Sequence, residues 1–153
     1  MLKNVSKKEL SWIFYDWANS AYTMVVTSTI MSLYFLSSAE AALEGQVENP
    51  AVTANAYWGF GNSVATIAIV ILSPILGTLA DYKGKKKKYF NFFLTIGLIF
   101  TLMLAFMPSK WWLALLIVFV ITSIGYTGTN IFYDAFLVDV SEDKDMDRIS
   151  SLG

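Results

Sequence analysis

Residues 49–80 read NPAVTANAYWGFGNSVATIAIVILSPILGTLA, and residues 81–88 read DYKGKKKK. The first of these stretches has no charged side chain and exceeds the about 20 apolar residues of helix that cross a hydrocarbon core of about 30 Å. Strands cannot satisfy their backbone hydrogen bonds singly in lipid, so this stretch predicts a transmembrane helix. The lysine-rich stretch that follows returns the chain to water.

The rest of the chain has the same character. It is 56% hydrophobic and only 15% charged, whereas ordinary soluble domains are about 25% charged. Further charge-free runs cover residues 17–39, 89–109 and 111–133. We therefore predict an all-α membrane protein with four transmembrane helices, at about residues 12–37, 52–80, 89–108 and 111–133, followed by a cytoplasmic tail at 134–153.

The distribution of cations predicts the orientation. Ten of the eleven Lys and Arg residues lie before the first span, between the second and third spans, or in the tail. The opposite side has only Lys110. Cytoplasmic loops carry an excess of Lys and Arg, so we expect both ends of the chain in the cytoplasm and the protein in the cell (inner) membrane. The ten cations are Lys3, Lys7, Lys8, Lys83, Lys85, Lys86, Lys87, Lys88, Lys144 and Arg148.

Composition also argues against several functions. The chain has no cysteine and no histidine, so the commonest general base and metal ligand are missing. We expect no enzyme activity and no cofactor. The net charge of -1 gives no reason to expect nucleic acid as a partner. The first apolar run is longer than the 7 to 15 residues of a signal-peptide core, so we do not expect cleavage.

Polar side chains fall on one face of the first span and one face of the fourth. With 100° between successive residues, each set lies within about 60°. Such faces meet protein or water rather than lipid. They could form interhelical hydrogen bonds of about 0.6 kcal/mol each, or they could line a substrate cavity. The sets are Asp16, Ser20, Thr23 and Thr27 in the first span, and Ser123, Thr127, Asn130 and Asp134 in the fourth.

The two middle spans look structural. The second span has small residues at helix-packing intervals, Gly59 with Ser63 and Ser73 with Gly77, and a candidate kink at Pro74. The third span has few polar side chains, so we expect it to face lipid and support the others.

The connection between these spans contains a recognisable pattern, GTLADYKGKK at residues 77–86. Gly77 permits close helix approach, Asp81 ends the span, and Gly84 allows a tight reversal. A phosphate-binding loop is excluded, because the glycines are seven residues apart rather than five and Lys86 stands where Ser or Thr is needed. The segment resembles the signature of the major facilitator superfamily.

A narrower resemblance rests on WIFYDWANSAY at residues 12–22. It is similar to the opening of the family that includes the fungal autophagy-linked vacuolar amino-acid effluxer and its bacterial relatives. LGTLADY at 76–82 and the region from Phe132 to Ser151 also resemble that family. Asp134 and Val138 depart from the family, which often has Asn and Pro at these positions.

The resemblance implies a fold of about twelve helices in two six-helix halves. This chain would be the N-terminal portion of the first half, and the remaining helices would be its partners, along with the bilayer and a small-molecule substrate. In that superfamily the first and fourth helices line the cavity. The implied substrate residues are Asp16, Asn19, Ser20, Thr23, Thr127 and Asn130, and the implied gating residues are Gly77, Asp81, Gly84 and Lys85.

The function predicted from this resemblance is secondary active transport of a small polar metabolite, with amino acids as candidates, by alternating access. The alternative is a small four-helix membrane scaffold or oligomerising protein without transport. For Asp16 two interpretations stay open. It could bind a cation of the substrate or the coupling proton, or it could cap its helix, where the macrodipole stabilises a carboxylate by about 0.3 to 1 kcal/mol. For Asp134 we favour the cap.

Overall fold

The computed structural model describes residues 5–81, 84–142 and 145–152. Lys3, Lys83 and Lys144 therefore lie outside the described residues. Within these ranges the chain is helical and contains no strand. The elements in chain order are α1 (Lys7–Ala21), a π-helical segment (Tyr22–Ile30), α2 (Met31–Leu43), α3 (Pro50–Asp81), α4 (Lys86–Phe106), a 3-10 turn (Ser109–Trp111), α5 (Trp112–Ala135), α6 (Leu137–Val140) and α7 (Met146–Ser150).

Three helical stretches are long and apolar enough to cross a membrane. They are Pro50–Asp81, Lys86–Phe106 and Ser109–Ala135, with mean hydropathies of 2.1, 2.0 and 1.8, and they match the predicted second, third and fourth spans. The predicted first span falls across α1, the π-helical segment and α2, which follow one another without a break. Because α1 has 15 residues and α2 has 13, neither is long enough alone. The first span therefore stays a prediction.

The helix α5 lies at the centre and packs against α3 on one side and α4 on the other. Its contact with α4 is close, because the backbones meet at two glycines. A Cβ atom added to Gly125 would lie 2.7 Å from the Gly97 nitrogen and 2.9 Å from the Gly97 Cα. One turn along, Gly128 leaves room for the Phe93 ring. Small residues thus allow these two helices to approach, as is typical of membrane helices.

Two apolar clusters hold α3 and α2 to this centre. The larger is built on Phe35 of α2, which is fully buried against Leu115 and Phe119 of α5. The smaller lies at the other end of α3, where Leu76 and Phe132 meet. Burial of these side chains fixes both ends of α3 against α5.

The packing face of α3 differs from the one we expected. Apart from the adjoining residues and the nearby backbone of α3 itself, no described atom lies within 4 Å of a Cβ added at Gly59 or Gly77. The glycine that packs is Gly61, where an added Cβ would lie 2.5 Å from Leu116 Cδ1. Because Gly61 is two positions from Gly59, it lies on the opposite side of the helix. Spacing alone predicted the interval between small residues but not the face.

Large apolar side chains point away from the helix contacts. Val70 of α3 is 65% exposed and Phe106 of α4 is 79% exposed. Exposed apolar area on this scale is unfavourable in water and is expected where lipid covers the surface. On α4 only Leu104 is buried, so most of this helix is available to lipid, as we expected. Its Thr101 side chain is the exception, because it bonds to α5.

The tail folds back on the start of α1. Glu9 forms a capping box with Ser6, in which the Ser6 N–H donates to Glu9 Oε2 at 2.7 Å. The buried Ser141 hydroxyl donates to Glu9 Oε1 at 3.2 Å. The backbone and side-chain hydrogen bonds from Ser6 hold the pKa of Glu9 below its usual value, with smaller contributions from Ser141 and Arg148. Ile13 and Ile149 are buried in the same region, so the tail packs against the start of α1.

Replacing Gly125 with alanine should destabilise the protein by about 1 to 3 kcal/mol, because the added methyl overlaps the backbone of α4 at Gly97. The measurement is the thermal unfolding midpoint of the full-length protein in detergent. The matched control is Gly59→Ala on α3, which adds the same methyl in open space. It should leave the midpoint unchanged or raise it, because alanine is the better helix former. Equal midpoints for the two variants would contradict the close α4 and α5 contact.

Candidate functional site

The first and fourth predicted spans meet in the structure, and Thr23 and Asn130 of the predicted polar faces hydrogen-bond across the contact. Trp12 stacks on Tyr133 with ring centroids 4.5 Å apart, and Tyr22 stacks on Tyr126 at 4.9 Å. Residue numbers rise along α1 as they fall along α5, so the two helices run antiparallel. This arrangement places Asp16 and Asp134 at the same end of the pair.

An amide pair joins the two faces. Asn19 Nδ2 donates to Asn130 Oδ1 at 2.7 Å, and it lies 3.4 Å from the Tyr126 hydroxyl. Both asparagines are half-buried. An amide that faced hydrocarbon without a partner would cost several kcal/mol, so this hydrogen bond is what makes the two side chains tolerable between apolar helices.

Hydroxyl groups extend the pair toward α4. The Tyr126 hydroxyl is hydrogen-bonded to Thr23, and the Tyr22 hydroxyl lies 3.5 Å from Thr122 Oγ1. The fully buried Thr122 bonds to Thr101 Oγ1 at 2.6 Å and donates to the Gly97 carbonyl at 3.0 Å. The three helices are thus connected by short polar contacts inside an apolar bundle.

The two carboxylates lie beside the aromatic stack. Asp16 is half-buried near Tyr133, whose hydroxyl donates to the Trp12 carbonyl at 3.2 Å. Asp134 is exposed, and it lies close enough to Asp16 for the two charges to repel each other. A cation bound near Asp16 would relieve this repulsion.

Two predicted substrate residues make no such contacts. Ser20 is exposed and Thr127 is half-buried. Neither side chain bonds to another helix within the described residues. Both hydroxyls therefore remain available to a ligand or to a helix outside this chain, and their roles stay predictions. Thr23 and Asn130, in contrast, are already paired with α5 and α1 respectively.

The predicted gating residues lie at the connection between α3 and α4. Gly84 has φ of +84°, a conformation that only glycine adopts freely, so the expected tight reversal is present. Asp81 is exposed as the last residue of α3, and Lys85 is the N-cap residue of α4. The strong contact here comes from Lys86, whose Nζ lies 2.6 Å from Asp139 Oδ2 and donates to the Ala135 carbonyl at 2.7 Å.

A cleft of about 170 Å³ opens between α1, α4 and α5 beside the amide pair. Its wall is mostly apolar, and the polar groups on it include Asn19, Tyr22 and Tyr126. This is large enough for several water molecules or a small ligand group. Among residues 5–81, 84–142 and 145–152, no three His, Cys, Asp or Glu side chains are grouped closely enough to hold a metal.

Sequence reasoning missed the tyrosines. Tyr22 and Tyr126 were counted as apolar, although they lie three residues after Asn19 and four before Asn130. Those intervals place them on the same helix faces as the asparagines. The available signal was therefore the hydroxyl group of an aromatic residue at helical spacing from an amide. The contact of Lys86 with Asp139 was also missed, because spacing does not reveal a partner that is distant in the sequence.

Comparisons with known proteins agree with the resemblance drawn from the sequence. The model of a family described as vacuole effluxer Atg22-like matches residues 5–150. The chain is also 48% identical over 153 residues to an uncharacterized MFS-type transporter, YxiO, of Bacillus subtilis (strain 168). That match covers 100% of this chain and 35% of the relative, so the chain spans about a third of its relative's length. No solved structure gives a significant match.

Tyr126→Phe should destabilise the protein by about 1 kcal/mol, because it removes the hydroxyl bonded to Thr23 and keeps the ring stacked on Tyr22. The measurement is again the thermal midpoint in detergent. Tyr57→Phe is the matched control, since its ring packs edge-on against Trp112 and no hydrogen bond of its hydroxyl is seen within the described residues. Tyr57→Phe should have no effect. A Tyr126→Phe midpoint equal to that of the control would show that the Tyr126 hydroxyl does not stabilise the contact.

Proposed function

The chain belongs to the family of vacuole effluxer Atg22-like proteins, and from this premise we propose that it forms the first part of a secondary transporter. The transporter moves a small polar metabolite by alternating access, and amino acids are the candidate class. The relative YxiO is described as an MFS-type transporter. The observation that carries the proposal is the hydrogen bond between Asn19 of α1 and Asn130 of α5, which joins two helices that each carry further polar side chains.

The substrate would meet the polar faces of α1 and α5. Asp16 is the proposed charged group, and Asn19, Ser20, Thr23, Thr127 and Asn130 are the proposed neutral ones. Supporting this assignment, Asp16 is the only charged residue in the four predicted spans. A carboxylate in that position suits a substrate amino group or a coupling proton rather than an anion. Helices outside this chain would supply the rest of the cavity.

The same proposal includes the predicted first span and an orientation of the chain in the membrane. Residues 12–37 would cross the bilayer as one helix through α1, the π-helical segment and part of α2, since the backbone is helical throughout. Both ends of the chain would lie in the cytoplasm. The support is the charge asymmetry of ten cations against one.

The gate would lie between α3, α4 and α6. We propose Gly77, Asp81, Gly84 and Lys85 as its residues, as the sequence pattern implied, together with Lys86. The supporting contact is the ion pair between Lys86 and Asp139, which links the start of α4 to α6. Movement of either helix end would stretch this contact, so its making and breaking can accompany a change of conformation.

The orientation predicts which positions an impermeant thiol reagent can reach. The chain has no cysteine, so single cysteines report without background. Gln46→Cys and Ser109→Cys should be labelled from outside intact cells, because both positions are exposed in connections on the proposed outer side. Ser150→Cys in the tail should be labelled only after the cells are opened. Labelling of Ser150→Cys in sealed cells, with Gln46→Cys silent, would reverse the orientation.

Transport is tested by uptake of a panel of amino acids into vesicles that contain the full-length protein. If Asp16 binds a substrate amino group, Asp16→Asn should raise KM roughly tenfold or more at every pH, because a charge-assisted hydrogen bond of about 1.5 to 3 kcal/mol is lost. If Asp16 carries the coupling proton, the variant should lose the pH dependence of uptake. Asp81→Asn should lower the rate while membrane insertion stays normal.

The control for these variants is Glu48→Gln, which removes an exposed carboxylate outside the helices and should transport normally. Normal uptake by Asp16→Asn on both counts would show that Asp16 binds neither the substrate nor the coupling proton. Unchanged uptake kinetics in Asp81→Asn would show that Asp81 has no role in gating. If the wild-type protein moved no member of the panel, a membrane scaffold or oligomerising protein would become the better interpretation.

A further inference from the structure

The first predicted span changes its helical winding in the middle. From Tyr22 to Ile30 the chain forms a π-helix, with α-helix on either side. In this winding the backbone N–H bonds to the carbonyl five residues back instead of four. π-helices are rare, are mostly a single turn, and occur often at functional sites. This one covers nine residues.

Two side chains match this winding. Ser28 Oγ donates to the Thr23 carbonyl at 3.0 Å, and Thr29 Oγ1 donates to the Met24 carbonyl at 3.0 Å. Both bonds reach five residues back. In α3, by contrast, Thr66 Oγ1 donates to the Asn62 carbonyl, four residues back. The two hydroxyls of the π-helical segment therefore support the wider turn at the same carbonyl spacing that its backbone uses.

The ends of this span are held by buried side chains, whereas the π-helical segment contacts α5 mainly through Tyr22 and Thr23 at its start. At one end Ile13 is buried under the tail and Trp12 stacks on Tyr133. At the other end Met31 and Phe35 are buried in the larger apolar cluster. Between them, no residue of the π-helical segment is buried.

Two clefts separate the segment from α4. One, of about 170 Å³, includes Tyr22 in its wall, and the other, of about 280 Å³, includes Val26 and Ile30. Wall residues on the α4 side include Thr101, which borders both clefts. The segment therefore has room to move on this side within the described part of the chain.

We propose that the π-helical segment is the bending point of the first span, about which α1 and α2 change their relative direction. A π-turn is one of the few features at which a long helix bends sharply. Conversion of part of the segment to α-helix would also rotate one end relative to the other, by about 100° for each residue of register. Asn19 and Thr23 lie at its α1 end, so bending there would alter their contacts with α5.

The test is a distance measurement between spin labels on the full-length protein, with any cysteine outside residues 1–153 replaced by serine. One pair, Phe14→Cys with Leu33→Cys, spans the π-helical segment. The matched pair, Val52→Cys with Ile71→Cys, has the same separation of 19 residues, about 28 Å of α-helix, within α3. All four positions are exposed. We expect the first pair to give a distance distribution roughly twofold broader than the second, because only the first crosses a bending point.

A second arm tests the hydroxyls. The double variant Ser28→Ala and Thr29→Ala removes the hydroxyls that support the π-helical winding, so part of the segment should convert to α-helix. Because α-helix has fewer residues in each turn than π-helix, the same residues then span a greater length. The mean distance between labels at positions 14 and 33 should therefore increase. Thr66→Ala should leave the Val52 and Ile71 distance unchanged. Equal widths for the two pairs would overturn the bending point, and an unshifted distance in the double variant would overturn the role of the hydroxyls. Neither measurement depends on transport, so failure of the proposed function would leave this result standing.

Discussion

Hydrocarbon offers no hydrogen-bond partner, and this constraint organises the polar side chains of the bundle. The amides of Asn19 and Asn130 bond to each other, and the buried Thr122 hydroxyl bonds to α4. No buried side-chain nitrogen or oxygen lacks a partner within the described ranges. Each contact contributes only about 0.6 kcal/mol. Their effect is therefore on which helix faces meet rather than on total stability.

The helix α5 presents different types of residue to each of its neighbouring helices. Its glycines face α4, where Gly125 approaches Gly97 so closely that no side chain fits between them. Its Asn130 side chain faces α1, its Thr122 hydroxyl faces α4, and its large apolar residues face α2 and α3. Burial of Phe119 and Leu115 supplies the nonspecific attraction, while the small and polar residues determine the orientation. A substitution on α5 therefore affects more neighbours than one on α4.

Two contacts made by charged side chains tie segments together at one end of the bundle. Glu9 draws the tail to the start of α1 through Ser141, and Lys86 joins the start of α4 to Asp139. Lys86 is largely buried, with 16% of its side chain exposed, whereas Asp139 is 53% exposed. Water screens such a pair only in part, so it can hold a helix end and still be broken. Both links belong to the same end of the bundle, beside Asp16.

The sequence by itself determined the class of protein, because charge-free runs longer than 20 residues have only one stable structure in lipid. It also determined the family, since WIFYDWANSAY and GTLADYKGKK are local patterns that need no knowledge of distant contacts. The polar faces of the first and fourth spans were predictable from helical periodicity alone. Gly84 was equally predictable, because a tight reversal requires glycine wherever it occurs.

Only the tertiary structure decided which residues meet across helices. Periodicity gives the direction of a side chain within its own helix, but not the rotation of that helix against its neighbours. For this reason Gly61 rather than Gly59 packs, and Lys86 finds a partner 53 residues away. Tyr22 and Tyr126 belong to the site because the rotation of their helices places the hydroxyl groups beside hydrogen-bonding side chains. The π-helical winding is the extreme case, since it changes the periodicity on which the sequence reading depends.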